Sequence, residues 1–214
     1  MIGTVSAVVL DTTGHRALAA FYRDLTGWAP AGDTATRTAL HAPDGWTVAF
    51  RSVDAARPHR GHLDIRVPEL EPALERAVAL GGTPVRRFER WITVADPAGN
   101  PFDLNWQPNL THYDLLGPVL DCPDPWRLSV FYTGLLGKPL TYNGDDGFAM
   151  IGETGAQPIT FQRSATYHPH PGQLHLEIAV DDLAAAAAAA ESLGATQDAG
   201  RWLDPTGRPF TLRG

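Results

Sequence analysis

The feature that most constrains this chain is an internal repeat running through nearly all of its 214 residues. Phe21-Tyr22, with Leu25 and Gly27 behind it, recurs 110 positions later as Phe131-Tyr132 with Leu135 and Gly137. His62 recurs as His175 at an offset of 113, and Gly99 as Gly207 at 108. Asp96-Pro97-x-Gly99-x-Pro101-Phe102-x-Leu104 recurs as Asp204-Pro205-x-Gly207-x-Pro209-Phe210-x-Leu212. Spaced matches at a near-constant offset mark a tandem duplication, so the fold must be one that can be built twice.

Within the first half the hydrophobic pattern changes period in a fixed order. Residues 5–10 read as a strand, 15–25 as a helix with Leu18, Phe21, Tyr22 and Leu25 on one face, and 36–41 and 46–52 as further strands. A second strand–helix–strands unit follows: 62–67, a helix over 71–80 closed by Gly81-Gly82, then 83–87, 91–95 and 101–106. The second unit reads β-α-β-β-β and the first follows the same order with one strand fewer in evidence; the expectation is an α+β chain of four β-α-β-β-β modules. Residues 107–117 read as the linker between a domain at 1–110 and one at 111–214. The seven alanines 184–190 occupy a helix position and read as a plain helix close against a sheet.

Composition removes several functions. The net charge of −7, with no basic cluster, argues against a nucleic-acid partner. No apolar stretch is long enough to span a membrane, and the first residues lack the pattern of a secretory signal. The single cysteine, Cys122, beside Asp121 and Asp124, fits a reducing cytoplasm and an unreactive thiol. No phosphate-binding glycine loop follows a strand.

Chemistry concentrates on the strand His62-Leu63-Asp64-Ile65-Arg66-Val67. Alternation puts Leu63, Ile65 and Val67 on one face and His62, Asp64 and Arg66 on the other. The copy at 175–180 again places a carboxylate, Glu177, two residues after its histidine. An imidazole beside carboxylates is a candidate acid–base group, with His62, Asp64 and Asp103 as its members. Tyr167-His168-Pro169-His170-Pro171 reads as a stiff exposed loop, not a metal clip.

A helix ending Phe-Tyr-x-x-Leu-x-Gly, a strand opening Gly61-His62-Leu63 and a closing Asp-Pro-x-Gly turn resemble the vicinal oxygen chelate superfamily. That group includes glyoxalase I, bleomycin-resistance proteins, methylmalonyl-CoA epimerase and extradiol dioxygenases. The resemblance implies βαβββ modules paired into two glyoxalase-like domains, each an incomplete barrel or cup with outer helices. It also implies metal ligands on the first and last strands of paired modules. Carried onto this chain, those positions are Ala7, Ala49, His62 and Asp103 in the first half, and Gly117, Thr160, His175 and Thr211 in the second.

Only His62 and Asp103 of the first set can ligate a metal, and only His175 of the second. The expectation is therefore a cytoplasmic protein, monomer or homodimer, without a complete metal site. It would bind a small organic ligand, a metabolite or antibiotic, in a first-half cup around His62, Asp64, Asp103, Asn105 and Arg51. The second-half cup would offer Thr160, Gln162, His175, Glu177 and Thr211. Two alternatives stand beside it: a glyoxalase-type lyase, isomerase or dioxygenase using one divalent ion at His62 and Asp103, and a metal-free isomerase or dehydratase using His62 as acid–base.

Overall fold

A computed structural model describes residues 2–56, 59–153, 157–168 and 174–214. Module one comprises β1 (Gly3–Thr12), α1 (His15–Thr26), β2 (Ala29–Asp33), β3 (Arg37–His41) and β4 (Thr47–Ser52). Module two is β5 (His62–Val67), α2 (Leu70–Ala79), β6 (Thr83–Arg87), β7 (Trp91–Ala95) and β8 (Pro101–Trp106). Module three is β9 (Asp114–Cys122), α3 (Pro125–Leu136), β10 (Leu140–Asn143), β11 (Phe148–Ile151) and β12 (Ile159–Arg163). Module four is β13 (His175–Val180), α4 (Leu183–Ser192), β14 (Thr196–Asp198), β15 (Arg201–Leu203) and β16 (Pro209–Arg213). The βαβββ order expected from the repeat is present four times.

Two details differ from the sequence reading. The strand β2 has the composition of a loop, Ala-Pro-Ala-Gly-Asp, and forms because β3 supplies its hydrogen-bonding partner. The expected linker is shorter, because β9 already begins at Asp114, where Leu115 can be buried against β5.

The larger difference is in how modules combine. The strands form two eight-stranded sheets with the orders β14-β15-β16-β13-β1-β4-β3-β2 and β10-β11-β12-β9-β5-β8-β7-β6. Module one shares a sheet with module four, and module two with module three, each pair joined by its first strands running antiparallel (β1·β13 and β5·β9). Every sheet therefore takes one module from each half of the duplication. A cup drawn from the first half alone, as the sequence reading had it, does not form.

The two modules of each half meet instead through their cores. The Tyr22 hydroxyl donates to Asp96 at 3.2 Å, and the Tyr132 hydroxyl to Asp204 at 3.2 Å. Each aspartate also accepts from the backbone of its own turn, Asp96 from Ala98 and Asn100, Asp204 from Thr206 and Arg208. The Phe-Tyr and Asp-Pro-x-Gly motifs are thus two ends of one buried contact, made twice. Tyr22 and Phe21 pack edge-on against Phe102 of β8, and Phe131 likewise against Phe210 of β16. One hydrophobic core runs through all four modules. The alanine helix α4 fits the expectation: Asp182 caps it, and Ala186 and Ala190 lie fully buried. No described helix is long and apolar enough to cross a membrane.

Candidate functional site

Alternation gives each sheet one face in the core and one face away from it. In the sheet of modules two and three, the outer face lines a cleft of about 630 Å³. Strand β5 contributes His62 and Asp64, β8 Asp103 and Asn105, and β7 Trp91 and Thr93. From module three come Val119 and Asp121 on β9, Thr160 and Gln162 on β12, and Phe148 on β11. Val85, Arg86 and Phe88 complete the lining. Phe88 stacks on Trp91 with ring centroids 4.2 Å apart, and the Arg86 guanidinium lies 4.5 Å over Phe88.

His62 sits at the floor because Gly61 brings the chain in tight. Gly61 has φ +126°, and a Cβ there would stand 2.3 Å from the Val119 carbonyl oxygen. The glycine before the histidine is thus required by the approach of β5 to β9. His62 Nε2 lies 3.5 Å from Asp64 Oδ1 and 3.5 Å from Asp103 Oδ2, with Asp64 and Asp103 level across the parallel β5·β8 ladder. Asp103 Oδ1 is buried without a hydrogen-bond partner. Burial alone would lower the His62 pKa. The contact with Asp64 and the charges of Asp64, Asp103 and Asp121 outweigh it, holding the imidazole above its ordinary value. Burial pushes the Asp103 carboxyl up, against His62 and the neighbouring Thr93 hydroxyl; it pushes Asp121 up as well, against His62, Arg208 and Arg60.

The sheet of modules one and four presents the corresponding face in a different state. Its middle is apolar and small, built from Ala7, Val9, Ala39 and Ala49. Arg51 forks onto Asp11 at 2.7 and 2.8 Å. Glu177 is gripped by Arg37 at 2.7 and 2.8 Å and by Arg213 at 2.6 Å. His175 is buried, and Thr211 lies level with Glu177 on the β13·β16 ladder. A hollow of about 210 Å³ lies against β2 and β3.

These placements correct the residue grouping expected from sequence. His62, Asp64, Asp103 and Asn105 do share a surface, but Thr160 and Gln162 join them there, because β12 belongs to the same sheet. Arg51 does not. It lies on the other sheet, paired with Asp11, as do His175, Glu177 and Thr211. Gly117, at a ligand position implied by the family, cannot be replaced by a ligating side chain without moving β12, since a Cβ would meet the Pro158 carbonyl oxygen at 2.2 Å. In the Tyr167–Pro171 loop, Pro169, His170 and Pro171 lie outside the described residues. Tyr167 is buried rather than exposed, with the Arg208 guanidinium 5.4 Å over its ring. Sequence reasoning missed Asp121, Thr93, Val85, Arg86, Phe88 and Phe148. For Asp121 the signal was its alternation with Val119, outweighed by its reading as an anion beside Cys122.

Comparison with known proteins agrees with this architecture. The family model described as "Glyoxalase-like domain" matches twice, over residues 7–105 and 118–213. Glyoxalase I from Zea mays superposes with a TM-score of 0.74 at 17% identity, covering 98% of this chain and 92% of that one. A putative dioxygenase from Bacillus subtilis superposes with a TM-score of 0.67 at 14% identity, covering 99% and 84%. At such identities these two likenesses show the fold alone. No curated protein matches by sequence. The family model spans most of the chain in two copies, and the chain therefore belongs to the glyoxalase-like domain family, within the vicinal oxygen chelate superfamily.

Proposed function

We propose that the protein binds a small organic ligand in the cleft between modules two and three, and that the matching face of the other sheet is closed and structural. One observation carries this reading: the two faces are built from equivalent modules, yet one is an open cleft of about 630 Å³ and the other is crossed by Arg–carboxylate pairs. The volume and the mix of aromatic walls with a few convergent polar groups suit a metabolite-sized molecule. Each sheet is completed within one chain, so the cleft needs no second copy. The test is mass spectrometry of small molecules released from the purified native protein. Trp91→Ala and Asp103→Asn should lose what the wild type carries, whereas Thr211→Ala should retain it. A ligand kept by both cleft variants would refute the assignment.

A second reading rests on the donor set. One atom each from His62, Asp64 and Asp103 lies within 4.8 Å of the others. The 3.5 Å separations from His62 are long for hydrogen bonds, and match two donors spaced tetrahedrally about an ion roughly 2.1 Å from each. With Asp103 Oδ1 also lacking a partner, these three residues fit a divalent ion, although Gly117 and Thr160 offer no strong further ligand. Such an ion would polarise a substrate oxygen as a Lewis acid. His62 would fix the orientation of that centre, Asp64 and Asp103 would neutralise its charge, and Trp91 and Phe88 would keep water from one wall. Metal analysis of tag-free protein after dialysis decides it. Less than about a tenth of an equivalent of any divalent metal would end this reading, since three-ligand sites in catalytic use are occupied.

A further inference from the structure

The sheet ladders make the two outer faces comparable position by position. Asp121 faces Gln162 as Asp11 faces Arg51. Phe148 lies across from Gln162 as Arg37 does from Arg51. Asp64 pairs with Asp103 as Glu177 does with Thr211, which sets Asn105 two residues on where the other face has Arg213. Both faces keep their carboxylates: Asp11 and Glu177 on one, Asp121 and Asp64 on the other, with Asp103 added. The three arginines that neutralise the closed face have become Gln162, Phe148 and Asn105 in the cleft.

The cleft is left with anions short of partners. Asp64 and Asp103 share one imidazole, at 3.5 Å from each, so two carboxyl groups face a single basic partner. No described arginine or lysine forms an ion pair with Asp64, Asp103 or Asp121. Arg60 and Arg208 act on Asp121 only at longer range, and Arg208 is committed to the Leu174 and Asp121 carbonyls. Arg86, at the rim, is stacked on Phe88. Asp103 is 9% exposed; the Thr93 hydroxyl and His62 act on its carboxyl, and its Oδ1 is buried without a hydrogen-bond partner.

We propose that the cleft ligand is an organic cation: an ammonium or amidinium group occupying the place the arginines hold on the other face, carried by a flat apolar body along Trp91, Phe88 and Phe148. This rests on the reading that the cleft is the ligand site. A guanidinium-like group meets paired carboxylates through charge-assisted bonds, and aromatic walls favour a flat cationic body. An anionic ligand would meet unneutralised carboxylates and be rejected.

The test is titration calorimetry on the full chain after dialysis against a chelator, with benzylammonium, benzamidinium, benzyl alcohol and benzoate as probes. The two cations should bind at least about tenfold more tightly than the alcohol, and benzoate should not bind. Asp103→Asn should bring the cations down to the alcohol's affinity while leaving the alcohol unchanged. Gln162→Arg with Asn105→Arg, which restores two of the three arginines of the other face, should abolish the preference in a protein that melts no lower than wild type; this arm holds even where Asp103→Asn folds poorly. Alcohol or benzoate binding as tightly as the cations overturns the proposal, as does silence from all four probes. So does stoichiometric metal that survives the chelator with benzoate preferred, because the cation is then the metal. If Trp91→Ala leaves cation binding intact, the cleft itself is refuted as the site. A Trp91-dependent ligand without charge preference refutes the cation alone.

Discussion

Replacing Glu177 with glutamine is the sharpest test of the closed face. The Glu177 side chain is 2% exposed and holds both Arg37 and Arg213 at 2.6–2.8 Å. Glutamine keeps the volume but removes the charge and turns one acceptor into a donor facing guanidinium donors. Breaking a buried ion pair costs about 3–5 kcal/mol. Here the Arg37 and Arg213 side chains retain 27% and 52% exposure, so both recover hydration and the expected loss falls to about 2–3 kcal/mol. For a chain of this size unfolding as a unit, that is roughly 4–12 °C in Tm. The pH dependence is fixed in sign. Burial raises the Glu177 pKa, but its bonds to Arg213 and Arg37 prevail and hold it below the ordinary 4.5. The contribution is then fully present above 4.5 and disappears as pH falls through the lower folded value. Urea unfolding of wild type and Glu177→Gln, at neutral pH and in stepwise more acid buffers, reads both quantities. A loss under about 0.5 kcal/mol at neutral pH, or a gap that persists in acid, would show that packing rather than charge closes this face.

Three further outcomes follow from buried groups elsewhere. Burial and the neighbouring Asp114 push Asp44 up to about 6, so its ionisation weakens the fold as pH rises through that value; Asp44→Asn should stabilise by about 1–2 kcal/mol in mildly alkaline buffer and by nothing below the ordinary 3.8, measured by urea midpoints. Gly117→Ala should cost about 1–3 kcal/mol by forcing β12 away from β9, and a midpoint equal to wild type would show that the 2.2 Å approach to Pro158 is not tight. Burial pushes the Cys122 thiol up to about 12, so a disulfide reagent should label it only after unfolding; native labelling faster than global unfolding would contradict that.

The fold was legible because its signals are local and repeated. The helical spacing of Leu18, Phe21, Tyr22 and Leu25, and the period-two pattern of 62–67, were enough to order the elements, and the duplication confirmed each of them. Which modules share a sheet was not legible. That choice depends on first strands pairing at long range, Ala7 with Glu177 and His62 with Val119, and no local pattern encodes it. The error carried directly into the site. Arg51 was placed beside His62 although Asp11 holds it on the other sheet, and Asp121 was passed over as a neighbour of Cys122. The Tyr22–Asp96 contact shows the converse case: both motifs stood out in sequence, but only the packing of adjacent modules shows that they touch.

The duplication also explains why the two faces could part ways. Each face takes one module from each half, so both began from the same pair of module types, and a change to one face left the other intact. Arginines on one face satisfy its carboxylates and tie β3, β13 and β16 together, which stabilises the fold without any ligand. The other face keeps three carboxylates around a single imidazole, an arrangement that costs stability through mutual repulsion and incomplete hydrogen bonding. Such a cost is tolerated where the rest of the molecule is well held, here by the twice-built Tyr–Asp contact and the continuous core. The His62 strand is therefore informative less for the histidine it shares with the β13 strand than for the arginines missing around it. On the proposed assignment, their absence is what separates the ligand-binding face from its structural twin.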